Sequence, residues 1–166
     1  YPGNAETDAR PFPAAAPPLK NPNYALPATP TPSWEITPAE ATVTITVGTY
    51  TYNGAEHKPA VTVKSGDVTV PEKEYTVTYA DNINAGTASV TVTDNAGGNY
   101  TFTTKTETFT INPLVAVLKW SDDTFTYDGT AKTVTATVTN LVTGDKVTVD
   151  GYTGNTGTDV KTYTAE

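Results

Sequence analysis

Threonine alternates with large β-branched residues over most of this chain, and the alternation limits the fold more than any other feature. The segment 42–47 reads Thr-Val-Thr-Ile-Thr-Val, and 36 of the 166 residues are threonine. A period of two places apolar side chains on one face of a strand and hydroxyl groups on the other. Because β-branched side chains lose rotamer freedom in a helix, the sequence predicts an all-β fold built from short strands.

Tight turns are predicted between the alternating segments. Asn53-Gly54 and Asp128-Gly129 supply the positive φ angles that short hairpin turns need. Short strands separated by such turns predict a small β-sandwich of the Ig-like kind rather than βαβ units. A β-grasp-like arrangement of the same strands stays open, because strand patterns do not separate the two.

Composition excludes several kinds of function. The chain has no Cys, so it holds neither a disulfide framework nor a thiolate nucleophile or thiolate metal ligand. His57 is the only histidine, which excludes a site with two imidazole groups. The formal net charge of −8 argues against a nucleic-acid partner, which would require clustered Lys and Arg. The sequence also contains no apolar run long enough for a membrane-spanning helix.

Proline separates an N-terminal arm from the rest. Ten of the 13 prolines fall within residues 1–38, and proline at this density fixes φ and removes ladder donors. We therefore expect residues 1–18 to form an extended arm. Residues 19–38 carry large apolar groups that an inert linker does not need, and we expect these groups to pack on another surface. The five groups are Leu19, Tyr24, Leu26, Trp34 and Ile36.

Internal repeats predict the domain organisation. The segment 51–55, Thr-Tyr-Asn-Gly-Ala, matches the segment 126–130, Thr-Tyr-Asp-Gly-Thr, and matches continue downstream of both. The first copy, 39–113, is complete, whereas the second, 114–166, lacks the last strands. The end of the first copy, Phe-Thr-Ile-Asn-Pro at 109–113, matches Trp-Glu-Ile-Thr-Pro at 34–38. Residues 19–38 therefore read as a detached terminal strand segment.

These motifs together resemble the tandem repeats of bacterial surface proteins and adhesins, of the MBG (YDG-type) and bacterial Ig-like kind. The resemblance covers residues 19–166 through the Tyr-Asn/Asp-Gly turn, the Gly-Asp hairpin, the Asn-Tyr motif and the closing Phe/Trp-x-Ile-x-Pro. It implies a secreted, extracellular β-module that serves as a stalk or spacer, or in adhesion. It carries over no catalytic residue. No signal peptide is visible in the sequence, which we take as a mature product or a fragment.

Candidate chemical groups are few and scattered. His57 stands alone as a possible base, and neither the Asp122-Asp123 pair nor Glu72 and Glu74 has a sequence signature of a shared cleft. The oxygen-bearing Asp81, Asn82 and Asn84 lack a complete calcium-ligand spacing. We therefore expect a protein that is not an enzyme and uses no metal or cofactor.

A repeat without its last strands would expose an apolar groove and a sheet edge, which is a template for another strand. We expect Leu19, Tyr24, Leu26, Trp34 and Ile36 to anchor such a strand, either within the same chain or in the next subunit. The second arrangement does not close and builds a homopolymeric filament.

Two alternatives remain: a monomeric spacer or adhesive excerpt of a large surface protein, or a carbohydrate-binding module that uses Tyr and Trp. A host or cell-surface glycan or protein would then be the partner.

Overall fold

The structure is a computed structural model that describes residues 7–13, 20–25 and 33–166. Leu19, Leu26 and most of the expected arm lie outside these described residues. The described part is almost entirely β-strand and loop, with a single 3₁₀ turn at Glu72–Glu74, so the predicted all-β fold is confirmed. Its strands are β1 (Pro11–Pro13), β2 (Ser33–Glu35), β3 (Ala39–Glu40), β4 (Thr42–Thr46), β5 (Thr49–Thr51), β6 (Ala60–Ser65), β7 (Val68–Thr69), β8 (Tyr75–Ala80), β9 (Gly86–Asp94), β10 (Tyr100–Thr101), β11 (Lys105–Asn112), β12 (Leu118–Trp120), β13 (Lys132–Thr133), β14 (Ala136–Val138) and β15 (Thr156–Gly157).

Two sheets build the first repeat. One has the order β4-β6-β7 and the other the order β5-β11-β9-β8. Strand β11 runs antiparallel to β9 but parallel to β5. It therefore lies inside the larger sheet, with a hydrogen-bonded neighbour on each side. Strands β8 and β9 form an antiparallel hairpin at the other side of that sheet.

The alternation of the sequence explains how the two sheets pack. Val43 and Val63 of the smaller sheet form one buried cluster with Val70 and with Val92 of the larger sheet. The threonines between them point outward, because successive side chains of a strand alternate between its faces. A second cluster joins Phe109 and Ile111 of β11 to Ala88 of β9, with Tyr50 of β5 packed against it. Strand β11 is thus the apolar centre of its sheet.

The second repeat reproduces the antiparallel pairing of β4 with β6. We call the spacing that carries Thr51 onto Thr126 the repeat interval. Strands β12 and β14 pair Leu118 with Val138 and Trp120 with Ala136. One repeat interval earlier, β4 and β6 pair Val43 with Val63 and Ile45 with Val61. The two repeats therefore share one strand register.

The Tyr-Asn/Asp-Gly turns share one geometry as well. The side-chain oxygen Oδ1 of Asn53 accepts a hydrogen bond from the Ala55 N–H, and that of Asp128 accepts one from the Thr130 N–H, both at 2.9 Å. The glycine that follows has φ = +76° in each turn, a conformation that glycine adopts without strain.

The N-terminal segment is attached to the first repeat. Strand β1 pairs antiparallel with β2, and the Phe12 and Trp34 rings stack. The Ala9 N–H donates to the Asn99 side chain at 2.7 Å. Strand β3 pairs in parallel with β10 and leads directly into β4. Residues 11–13 of the expected proline-rich arm are thus a paired strand.

Candidate functional site

Strand β11 completes the first repeat by filling the position between β5 and β9. Phe109 lies opposite Ala88, and Ile111 lies opposite Gly86 on one side and Tyr50 on the other. The Phe109 and Ile111 side chains are 4% and 1% exposed. The Tyr50 ring meets the Phe109 ring edge-on, with centroids 5.4 Å apart. Both neighbouring strands therefore depend on β11 to cover their apolar side chains.

The backbone of the second repeat follows the first as far as the middle of β9. Thr153 and Glu166 exchange two backbone hydrogen bonds of 3.0 and 3.1 Å. Their counterparts one repeat interval earlier are Thr78 and Thr91, which are register partners in β8 and β9. Within the described residues, no strand of the second repeat occupies the place that β11 holds in the first.

A groove marks that vacant place. It encloses a cavity of about 430 Å³ that is lined by residues 123–127 on one side and by residues within 154–165 on the other. In the first repeat, residues 123–127 correspond to the β5 region, and residues 154–165 correspond to the β8–β9 hairpin. The groove is therefore open between the two strands that β11 joins in the first repeat.

Aromatic side chains are uncovered in this groove. Phe125 and Tyr163 are 43% and 40% exposed, whereas their counterparts Tyr50 and Ala88 pack in the cluster around Phe109. The Tyr163 ring lies against Gly157, where a Cβ atom would collide with the ring carbons. The Lys161 ammonium lies over that ring, 4.8 Å from its centroid. The Tyr163 hydroxyl accepts hydrogen bonds from the Thr158 and Asp159 N–H groups, and the lining mixes the aromatic rings with threonine and charged side chains.

An ion pair holds the turn at one end of the groove. Asp128 accepts hydrogen bonds from Lys132 and from the Thr130 hydroxyl and N–H groups. The Lys132 and Thr130 hydrogen bonds hold the pKa of the Asp128 carboxyl well below its usual range. Thr130 and Lys132 also line the cavity, so this turn fixes part of its wall.

The sequence-predicted anchors do not lie in the groove of their own chain. Trp34 is half-buried and stacks on Phe12, and Ile36 donates its N–H to the Arg10 carbonyl at 3.2 Å. Tyr24 is 70% exposed. Among the described residues, no hydrogen bond or ring contact joins these three anchors to residues 114–166. Leu19 and Leu26 lie outside the described residues.

Sequence patterns did not single out three residues of the arrangement: Phe12, Phe125 and Tyr163. The signal for the last two was the repeat interval, which holds on both sides of the Gly-Asp hairpin and places them on Tyr50 and Ala88. No pattern pairs Phe12 with Trp34, since the two residues are separated by a long proline-rich segment.

The His57 ring lies against the Tyr50 ring with centroids 4.8 Å apart, and its Nε2 atom is buried without a hydrogen-bond partner among the described residues. The His57 backbone N–H donates to the Asn82 carbonyl at 2.8 Å, and the Asn82 side chain donates to the His57 carbonyl at 3.1 Å. Glu74 is buried and accepts the Asn99 N–H at 3.0 Å. In the part of the chain that the structure describes, no group of three or more acidic or histidine side chains is placed to hold a metal ion.

The described residues contain no helix of the length and apolar character needed to span a membrane. No protein-family model matches this chain, and neither does any curated protein or solved structure.

Proposed function

We propose that this chain is an extracellular structural module of a bacterial surface filament or adhesin stalk. Its copies join head to tail by strand complementation: residues 33–38 of one copy enter the groove of the second repeat of another. The vacant β11 position between residues 123–127 and 161–166 carries this proposal. Such a groove recognises a strand through main-chain hydrogen bonds and through pockets for alternate side chains.

The spacing of the donor residues supports a second copy as the occupant. Trp34 and Ile36 lie one repeat interval before Phe109 and Ile111, the two buried residues of β11. Ile36 also precedes Val43 of β4 by the same number of residues as Ile111 precedes Leu118 of β12. A donated strand would therefore lead into the next module through a connector of the length already used between the two repeats of this chain.

The two large apolar side chains of the donor would face aromatic side chains of the groove. In the β11 register, Trp34 lies opposite Tyr163, and Ile36 lies opposite Phe125 and Lys161. Each large apolar side chain that becomes fully buried contributes about 1.5–3 kcal/mol, and each new backbone hydrogen bond adds about 1 kcal/mol. Association costs at least about 4 kcal/mol in lost translational and rotational freedom. We therefore expect an assembly that depends on protein concentration.

The assembly would not close. Donor and acceptor lie at opposite ends of the sequence, so the contact is heterologous and extends into a filament.

Sedimentation velocity over a range of concentrations tests the proposal. We expect oligomers that grow with concentration for the natural chain, and monomers for the Trp34→Asp/Ile36→Asp variant. Glu35→Gln is the matched control, because Glu35 lies between the two anchors and points to the other face of the strand; this variant should assemble normally. A natural chain that stays monomeric at every concentration would exclude strand exchange between copies and favour a spacer repeat that is completed within one chain.

No second function gains support from a specific contact. Both tryptophans have aromatic partners within the chain: Trp34 stacks on Phe12, and Trp120 packs near Tyr152 with centroids 5.8 Å apart. The Tyr152 hydroxyl is also bonded to the Ala136 backbone. The tryptophans are thus partly engaged within the protein, and the most exposed aromatic rings of the described residues are those of Tyr24 and Tyr127.

A further inference from the structure

The two repeats of the chain meet at a small joint. The Tyr52 hydroxyl donates a hydrogen bond of 2.9 Å to the Asp145 carboxylate. Val142 approaches Gly54 so closely that a Cβ atom at Gly54 would lie 2.5 Å from Val142 Cγ1. Beside these contacts lies an apolar cavity of about 270 Å³, which Ala85 helps to line. Tyr52, Gly54 and Ala85 thus form an end face of the first repeat, and the hairpin of the second repeat covers it.

The second repeat has the same end face, and it is uncovered. A shift by the repeat interval converts Tyr52, Gly54 and Ala85 into Tyr127, Gly129 and Val160. Tyr127 is 63% exposed and Val160 is 84% exposed. Within the described residues, no neighbouring atom lies within 4 Å of the position that a Cβ atom at Gly129 would take. We call Tyr127, Gly129 and Val160 the free end face, of which Tyr127 and Val160 also line the groove of the second repeat.

The first repeat has a turn that matches the Asp145 turn of the second repeat. Asp145 belongs to a Thr-Gly-Asp turn, and the first repeat has a Ser-Gly-Asp turn at 65–67. The turn glycines, Gly144 and Gly66, have φ angles of +98° and +57°, both in the left-handed region. Asp67 is exposed, and Val68 beside it is 58% exposed.

We infer that the free end face binds the Ser65-Gly66-Asp67 turn of a second copy, with the Tyr127 hydroxyl donating to the Asp67 carboxylate. This inference rests on the proposed function, since the donated strand brings the two surfaces together. It adds a second point of contact that fixes the angle between successive subunits, as Tyr52 and Asp145 do within one chain.

One difference between the joints is compensated by side-chain size. Leu141 and Val142 precede the turn of the second repeat and supply apolar area to the internal joint. The first repeat has only Lys64 in the place of residues 139–142, so this area is lost in the joint between copies. The free end face carries Val160 where the internal joint has Ala85, and the larger side chain restores apolar surface at that point.

The Tyr52–Asp145 hydrogen bond of the internal joint raises the pKa of the Tyr52 phenol, because it stabilises the protonated phenol beside a carboxylate.

A double-mutant cycle in the full chain tests the inference. Sedimentation should show that Tyr127→Phe and Asp67→Asn each weaken association about three- to ten-fold, the range expected for one hydrogen bond. The double variant should be no weaker than either single variant. Asp150→Asn is the control, because it makes the same chemical change as Asp67→Asn on an exposed carboxylate elsewhere, and it should assemble normally.

The outcomes separate this inference from the proposed function. If Trp34→Asp/Ile36→Asp abolishes assembly while Tyr127→Phe and Asp67→Asn leave it unchanged, the end-face contact is wrong and strand donation stands. If the end-face variants weaken assembly and the Trp34→Asp/Ile36→Asp variant does not, strand donation is wrong and the end-face contact stands. A chain that never associates overturns both.

Discussion

Phe12 stacks on Trp34, with ring centroids 4.8 Å apart and an angle of 29° between the ring planes. The contact belongs to the pairing of β1 with β2 and is reinforced by the Ile36 N–H, which donates to the Arg10 carbonyl. Both proposed donor residues are therefore held by the arm of their own chain. Donation to another copy requires this short ladder to open first.

Removal of the Phe12 ring should favour assembly. In Phe12→Ala, Trp34 loses its stacking partner, so we expect faster growth of oligomers and a more exposed indole in the monomer. Light scattering follows the growth, and acrylamide quenching in a Trp120→Phe background follows Trp34 alone. Growth that is slower than in the natural chain would contradict the idea that β1 competes with the acceptor groove.

The matched glycines Gly54 and Gly129 should respond differently to alanine. Both have φ = +76°, so alanine adds backbone strain of about 1 kcal/mol at either position. Only at Gly54 would the new methyl group also meet Val142. Urea unfolding should therefore show a larger loss of stability for Gly54→Ala than for Gly129→Ala. Equal losses would show that the joint between the repeats does not contribute to stability.

The β11 core should be sensitive to truncation. Ile111 is 1% exposed, and we expect Ile111→Ala to lower the free energy of unfolding by about 2–5 kcal/mol, as a cavity in a packed core does. Val115→Ala is the control, because Val115 is 81% exposed and an exposed site changes stability by about 0.5 kcal/mol or less. A small loss at Ile111 would show that β11 is not the apolar centre of its sheet.

The turn beside the groove should depend on pH in a defined direction. Since the Lys132 and Thr130 hydrogen bonds lower the pKa of Asp128, the folded state favours the ionised carboxylate. The ionised Asp128 carboxylate therefore stabilises the fold at pH values above the ordinary aspartate pKa. This stabilisation is lost as the pH falls toward the lowered pKa that Asp128 has in the folded state. Carbon-13 NMR titration should place the Asp128 midpoint below the ordinary aspartate pKa, and Lys132→Met should move it upward. A midpoint that does not move would exclude the ion pair.

Much of the fold followed from local sequence patterns, because the Thr and Val alternation at 42–47 depends only on the period of a strand. The position of β11 inside its sheet did not follow, since the parallel pairing of Ile111 with Tyr50 joins residues far apart in sequence. The groove could be expected as a consequence of the repeats, but the repeat interval was needed to assign Phe125 and Tyr163 to it. The partner of Trp34 could not be predicted, because Phe12 lies in a proline-rich arm whose pairing depends on tertiary contacts.

Disulfide trapping can show strand exchange between copies without background, since the natural chain has no cysteine. In the β11 register, Ile36 of one copy faces Phe125 of another, as Ile111 faces Tyr50 within the first repeat. Under mild oxidation, Ile36→Cys/Phe125→Cys should form a ladder of reducible oligomers. Glu35→Cys/Phe125→Cys should form far fewer, because residue 35 points to the other face. A product that remains monomeric, with or without an internal disulfide, would contradict strand exchange between copies.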